Sequence, residues 1–248
     1  MEITSVNNEL VKEYAKLQQK KYRTQSGKFL LEGFKAIREA FDSGIIIEKI
    51  FVDKSKKDEY KFAKDLIIET NEAVLKKLGT TDSAPEAIAI GYPKAYDKQA
   101  LKDAKKVVLL EDIKDLGNLG TIIRSSVAFG ADAIVLYGES VDIYNPKCVR
   151  ASVGNLWKLP IIEIKTFKEL EETFVNFERI ATLPRTNNLL KTFEAKFPTV
   201  VMFGSEANGL SQELIKFSTT SVKIEMAQTV ESLNLATSVS VILYKLFI

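Results

Sequence analysis

Three polar, glycine-bearing segments hold the residues of this sequence whose types and spacing could do chemistry: Asn118 to Arg124, Phe203 to Leu210 and Ile224 to Asn234. In the first, Gly120 and Arg124 stand four apart beside the apolar stripe Leu119, Ile122, Ile123 and Val127, so they are neighbours on one flank of a helix. A glycine there costs up to ~1 kcal/mol against alanine, and its place beside an arginine marks a notch for a ligand or another backbone. A capped surface helix with a solvated arginine is the alternative. In the second, Gly204, Ser205, Glu206 and Gly209 follow the apolar run Val200-Val201-Met202, and tight turning at a strand end makes a pocket floor with free N–H groups. In the third, Ser232 and Asn234 sit at the mouth of the last helix, where either could cap it. The chain has no histidine, which removes Ser-His-Asp and Cys-His mechanisms and most zinc and haem sites. Its lone Cys148 permits neither an intramolecular disulfide nor a thiolate cage, and no metal is expected. Proton handling falls to Asp, Glu, Lys, Tyr or Arg. There is no G-x-G-x-x-G, and Gly204 to Gly209 continues with Leu210-Ser211 where a P-loop needs Lys-Ser/Thr, which argues against a kinase, an NTPase and an ordinary Rossmann dehydrogenase.

The elements that must position these segments alternate between strand and helix. Apolar runs at Val107 to Leu110, Ala133 to Tyr137, Ile161-Ile162, Arg179 to Leu183, Thr199 to Phe203 and Val222 to Ile224 read as strands of a mostly parallel sheet. Helices are expected from an Asn118 cap to Phe129, from Pro146, over Phe167 to Phe177, over Ser211 to Phe217, and over Leu233 to Phe247. A ligand then belongs at the carboxyl ends of the strands. The first ninety-odd residues form a separate α/β unit. An amphipathic helix is expected from Asn7 to Lys20, then strands at Phe29 to Leu31, Lys49 to Val52, Leu66 to Ile68 and Ile88 to Ile90, with helices at Phe34 to Phe41, Tyr60 to Lys64 and Asn71 to Leu78. The polar stretch around Pro93 is the junction, which gives residues 1–93, a linker at 94–105 and a second domain at 106–248. No apolar run reaches the ~18 residues of a membrane span and no signal peptide is recognised, so a cytoplasmic location is expected.

Taken together and in order, the three segments resemble the three signature motifs of the SpoU (TrmH-like) family of SPOUT RNA 2′-O-ribose methyltransferases. Asn118, Gly120 and Arg124 fit the first motif; Gly204, Glu206, Gly209 and Leu210 the second; Ile224, Met226, Ser232, Leu233 and Asn234 the third. Asn145-Pro146 through Arg150, Ser152 and Gly154 is similar to the family's intervening segment. Phe29 to Gly33 is similar to an RNA-recruiting domain related to a small ribosomal-protein fold. Glu225 stands where the family usually has proline, and Gln228 where it has glycine.

The resemblance implies a C-terminal domain with a deep trefoil knot, a homodimer, and S-adenosyl-L-methionine held by Leu183, Gly204, Ser205, Gly209, Ile224, Met226, Ser232 and Leu233. It casts Arg124 as the residue that acts on the ribose 2′-hydroxyl. Because a guanidinium stays protonated in proteins, the expected role is an electrostatic grip on phosphate and ribose oxygens, with Asn118, Glu206 and Asn234 shaping the site. From Lys12 to Arg38 there are eight basic residues against two acidic ones, an excess suited to phosphates; Lys12, Lys20, Lys21, Arg23 and Arg150 are the candidate RNA contacts. The implied substrate is 23S ribosomal RNA. Transfer RNA, base methylation, or RNA binding without catalysis are the alternatives.

Overall fold

The computed structural model describes residues 1–227 and 229–248, so the departure at Gln228 lies outside the described residues. The chain forms two compact units: Met1–Ala95 with Asp142–Trp157, and Tyr96–Val141 with Lys158–Ile248.

In the first unit, the basic helix expected from Asn7 to Lys20 is two helices. Helix α1 (Glu9–Ala15) is capped by Asn8, whose side chain accepts from the Leu10 amide. After one tight turn, Gln19 adopts extended backbone (φ −100°, ψ 135°), and α2 (Lys20–Ser26) runs to Gly27 in the left-handed region at φ 63°. Arg23 explains the break. Its Nη1 donates to the carbonyls of Leu17 (2.7 Å) and Gln18 (2.9 Å), satisfying groups that helix ends leave orphaned. Strands β1 (Phe29–Glu32), β2 (Ile47–Asp53), β3 (Ile67–Thr70) and β4 (Ala87–Gly91) make a sheet of order β1-β4-β2-β3. Strand β4 is antiparallel to both neighbours, and β2 and β3 are parallel. Helices α3 (Phe34–Asp42) and α4 (Glu72–Leu78) complete the unit. As expected, Asn71 caps α4 through the Val74 amide. Val11, Tyr14 and Leu17 pack with Leu30, Phe51, Ile68, Leu75 and Ile88 in one core. The helix expected at Tyr60 to Lys64 lies inside a longer 3-10 stretch, Lys54–Leu66, which departs from helical backbone at Tyr60 and Ala63, both buried.

The second unit starts with β5 (Lys106–Glu111), α5 (Leu116–Ala128) and β6 (Ala133–Tyr137). The stretch that follows packs with the first unit: Asn145 caps α6 (Pro146–Ala151), the Phe29 ring lies 4.9 Å from Tyr144 and 5.4 Å from Trp157, and Arg150 donates to Glu32 at 2.7 Å. Cys148 in α6 is buried, and burial pushes its thiol up to about 12, leaving it inert at neutral pH. The chain resumes with β7 (Ile161–Ile164), α7 (Phe167–Phe174), β8 (Glu178–Thr182), β9 (Thr199–Phe203), α8 (Gln212–Phe217), β10 (Thr220–Val222) and α9 (Leu235–Phe247). The sheet order is β10-β8-β9-β5-β6-β7 and every neighbouring pair is parallel. Strands β5 and β9 are buried along their length apart from the half-buried Lys106, and apolar apart from Lys106, Glu111 and Thr199, as the continuous apolar runs require of strands covered on both faces. No helix among the described residues is long and apolar enough to cross a membrane.

Candidate active site

The carboxyl ends of three adjacent strands, β9, β8 and β10, and the start of α9 open onto one cavity of about 500 Å³. Leu183 follows β8, Gly204, Ser205, Glu206 and Gly209 follow β9, Ile224 and Met226 follow β10, and Ser232, Leu233 and Asn234 precede α9; all line it. Every residue expected from the sequence to hold a cofactor therefore faces the same space. Parallel pairing sets this up, because it brings all three strand ends to one edge of the sheet, where the Leu183 amide donates to the Val222 carbonyl.

Gly204 is required by contact. A Cβ there would lie 1.9 Å from the carbonyl carbon of Gly209 and 2.1 Å from the Leu210 nitrogen. The loop is a closed turn in which Gly209 donates to the Ser205 carbonyl at 2.9 Å, with Gly209 itself at φ 66°. Its far end is anchored by Glu111, 6% exposed at the end of β5, which accepts from the Ser211 amide at 2.7 Å. Sequence reading missed Glu111; a carboxylate closing the buried run Val107 to Leu110 was the available signal. It also missed Thr182, Pro184 and Ser238, which line the cavity.

The three motifs are wired together by hydrogen bonds. Asn118 Nδ2 donates to Glu206 Oε1 at 2.7 Å, Asn234 Nδ2 donates to Asn118 Oδ1 at 2.9 Å, and Asn234 Oδ1 accepts from the amides of Ala236 and Thr237 at the start of α9. The direction of this chain is forced. An ionised carboxylate only accepts, so Asn118 must present its NH₂ to Glu206 and its oxygen to Asn234, and Asn234 is left with its oxygen for the helix N–H groups. One expectation is corrected here: Asn118 does not cap α5. Asp115 does, accepting from the Asn118 amide at 2.7 Å, which frees the Asn118 side chain for the network. Asn234, one of two candidates, caps α9.

Asn234→Asp should separate two roles. The cap acceptor survives, so thermal unfolding should stay near that of the parent, whereas Asn234→Ala should lose about 1 kcal/mol. Both remove the donor to Asn118, and both should slow turnover by roughly 10², the cost of a small misplacement. Full activity in Asn234→Asp would show that the network is structural only.

Arg124 is exposed on α5 and does not line the cavity. It makes no hydrogen bond or ion pair among the described residues, so its five donors are available. Its helix is fixed to α9 by the hydrogen bond between Ser125 and Ser240 hydroxyls, 2.7 Å. Tyr137, at the end of β6, is no alternative proton acceptor: burial and the Glu213 carboxylate push its hydroxyl up to about 12. Glu225, in the place of the family's proline, is not in the cavity lining and faces the exposed Lys191 at 3.6 Å, a surface pair worth little.

Of the expected RNA contacts, Arg23 is corrected. Arg23 is 5% exposed and binds Asp142 through Nε and Nη2 at 2.9 and 2.7 Å. Arg150 binds the buried Glu32. Arg23 is thereby a buried structural residue, whereas Arg150 keeps 32% of its side chain exposed and, among the described residues, bonds through Nη1 alone, to Glu32 and Thr80. Lys12 is exposed with only an i,i+3 partner, Glu9, a pairing worth little. Lys20 and Lys21 are exposed and have no carboxylate partner among the described residues.

Residues 105–244 match the SpoU rRNA Methylase family. The chain belongs to that family. Residues 8–89 of this SpoU methylase match the MRM3-like substrate binding domain. The SpoU chain is similar over almost its whole length to two curated enzymes. It is 27% identical to a 23S rRNA guanosine 2′-O-methyltransferase of Bacillus subtilis, covering 99% of this chain and 98% of the relative, and 30% identical to a 23S rRNA uridine 2′-O-methyltransferase of Streptomyces viridochromogenes, covering 98% and 90%. The crystal structure of an AdoMet-bound rRNA methyltransferase from Sinorhizobium meliloti superposes with a TM-score of 0.87 at 28% identity, covering 99% of this chain and 96% of that one.

Proposed function

We propose that this SpoU enzyme methylates a ribose 2′-hydroxyl of 23S ribosomal RNA in the cytoplasm, using S-adenosylmethionine bound in the cavity between β8, β9, β10 and α9. The observation that carries the reading is the convergence of all three motifs on that cavity through the Glu206–Asn118–Asn234 chain. The lining suits the cofactor: apolar Leu183, Ile224, Met226, Leu233 and Ile242 surround a few fixed polar groups, the usual makeup of a small-molecule site. When bound, the cofactor supplies an electrophilic methyl group. The chain's own residues do the rest. Glu206, Asn118 and Asn234 hold the loop after β9 and the start of α9 in register, and Arg124 positions the ribose and its phosphate and favours the oxyanion, whose proton leaves to phosphate or water while the sulfonium leaves as a neutral thioether.

Two finer features belong to the same reading. The chain path of the second unit is a trefoil knot, a reading supported by the whole-length match to the solved rRNA methyltransferase. The working form is a homodimer: α9 and the chain end expose Val241, Tyr244 and Ile248, at 40%, 63% and 78%, apolar surface of the kind that a second copy covers. The residues 1–95 recruit RNA through the exposed lysines Lys12, Lys20 and Lys21.

Mapping of ribose methylation across all cellular RNA, with and without the gene, tests the proposal. One 23S position is expected to lose its 2′-O-methyl group and to regain it with purified enzyme and cofactor. Loss at a transfer RNA position would redirect the substrate, and loss of a base methyl group or of none would refute the reaction.

A further inference from the structure

Beside α1 and α2, away from the cofactor cavity in sequence and in the other unit, a hollow of about 250 Å³ is lined by Tyr22, Lys16, Gln25 and Ser26 over the buried Tyr14 and Leu17, with Glu13 and Lys28, which face each other at 3.9 Å, on its rim. Its chemistry matches no structural need of the first unit. Tyr22 is half-buried and its hydroxyl has no hydrogen bond among the described residues. Lys16 and Lys21 hold their ammonium groups 5.8 and 5.9 Å from its ring centroid, and Lys16, Lys20 and Lys21 have no carboxylate partner among the described residues. Lys12, Lys28, Lys56, Lys57 and Lys61 of the same unit, by contrast, each stand against a carboxylate. An aromatic face beside unpaired ammonium groups is what single-stranded nucleic acid needs. The ring stacks on a base, and the lysines meet the phosphates on either side.

We infer that this hollow is a binding site for one unstacked nucleotide of the RNA substrate, with Tyr22 as the stacking platform, Lys16 and Lys21 as phosphate contacts, and the Gln25 amide at the base edge. The inference rests on the RNA-methyltransferase reading and deepens it. The lysines contact the ring only from its surroundings, and such contacts at exposed rings are weak; an incoming base displaces one of them onto the adjacent phosphate. The kink at Gln19 is what brings Tyr22 and Lys16 together, because in a single straight helix residues six apart would stand on different faces.

The test is anisotropy of the full-length protein with a fluorescent single-stranded 12-nucleotide RNA of mixed sequence and a blunt RNA duplex of equal length. Tyr22→Ala is expected to weaken single-strand binding by roughly tenfold or more, Tyr22→Phe to leave it unchanged, and neither to alter duplex binding. Lys16→Ala and Lys21→Ala should each lower the slope of log affinity against log salt by roughly 0.7 for the single strand. Parent-like single-strand affinity in Tyr22→Ala would overturn the site. So would equal losses in Tyr22→Ala and Tyr22→Phe, or a loss shared by the duplex. Cofactor titration by calorimetry on the same proteins keeps the two readings apart: a protein that binds S-adenosylmethionine but ignores Tyr22→Ala leaves the enzyme standing without this site.

Discussion

Arg124→Ala should lose at least about 10³ in single-turnover methyl transfer while binding S-adenosylmethionine within about twofold of the parent. A ribose hydroxyl is a weak nucleophile, and groups that take its proton or stabilise the developing charge supply roughly 10²–10⁴ each. The described side chains near the cavity leave few that could do this. Glu206 is engaged by Asn118, the other ionisable side chains lining the cavity are Lys223 and Glu231, and the chain has no histidine. Arg124 is exposed, without a partner among the described residues, on a helix joined to α9 through Ser125 and Ser240. Because it does not line the cofactor cavity, removing it should leave cofactor affinity alone. Arg124→Lys keeps the charge but not the planar fork, and should recover only part of the rate. Tritium transfer from labelled cofactor to RNA measures the first quantity and calorimetry the second. An active Arg124→Ala would strip this residue of any role in the chemistry.

The strand-to-loop logic of this site was legible in the sequence. Each motif sits behind an apolar run, each run is a strand of one parallel sheet, and parallel strands must deliver their carboxyl ends to the same edge. What stayed hidden was pairing at long range. Arg23 is one of eight basic residues in a run that reads as a phosphate-binding face, and only its partner Asp142, 119 positions away, shows that it is a core residue. Arg150 and Glu32, 118 apart, are a second pair joined only at long range. The cap of α5 was misplaced for a local reason. Asp115 and Asn118 are both good capping types three apart, and the decision between them turns on Glu206 claiming the Asn118 side chain, a contact 88 residues distant. The break at Gln19 has the same origin: local periodicity favours one helix, and Arg23 bonding back to Leu17 and Gln18 makes two of it.

The two glycines of the second motif should respond very differently to the same added methyl group. At Gly209 there is open space around a new Cβ, and the only penalty is the left-handed backbone at φ 66°, about 1–2 kcal/mol. At Gly204 the backbone conformation is ordinary, but the new carbon would overlap the Gly209 carbonyl carbon at 1.9 Å and the carbonyl oxygen at 2.1 Å. Backbone cannot swing aside as a flexible side chain would, so the turn from Ser205 to Gly209 must open. Opening it moves Glu206 off Asn118 and Leu210 out of its buried position, and Ser211 leaves Glu111. Gly204→Ala should therefore destabilise the protein by about 3 kcal/mol, the upper range for a forced overlap in a packed region, and weaken S-adenosylmethionine binding by at least about 10². Gly209→Ala should keep measurable cofactor binding and most of its stability. Chemical denaturation and cofactor titration of the two variants side by side decide the matter. If Gly204→Ala were as mild as Gly209→Ala, the closed turn could not be what builds the floor of the cavity.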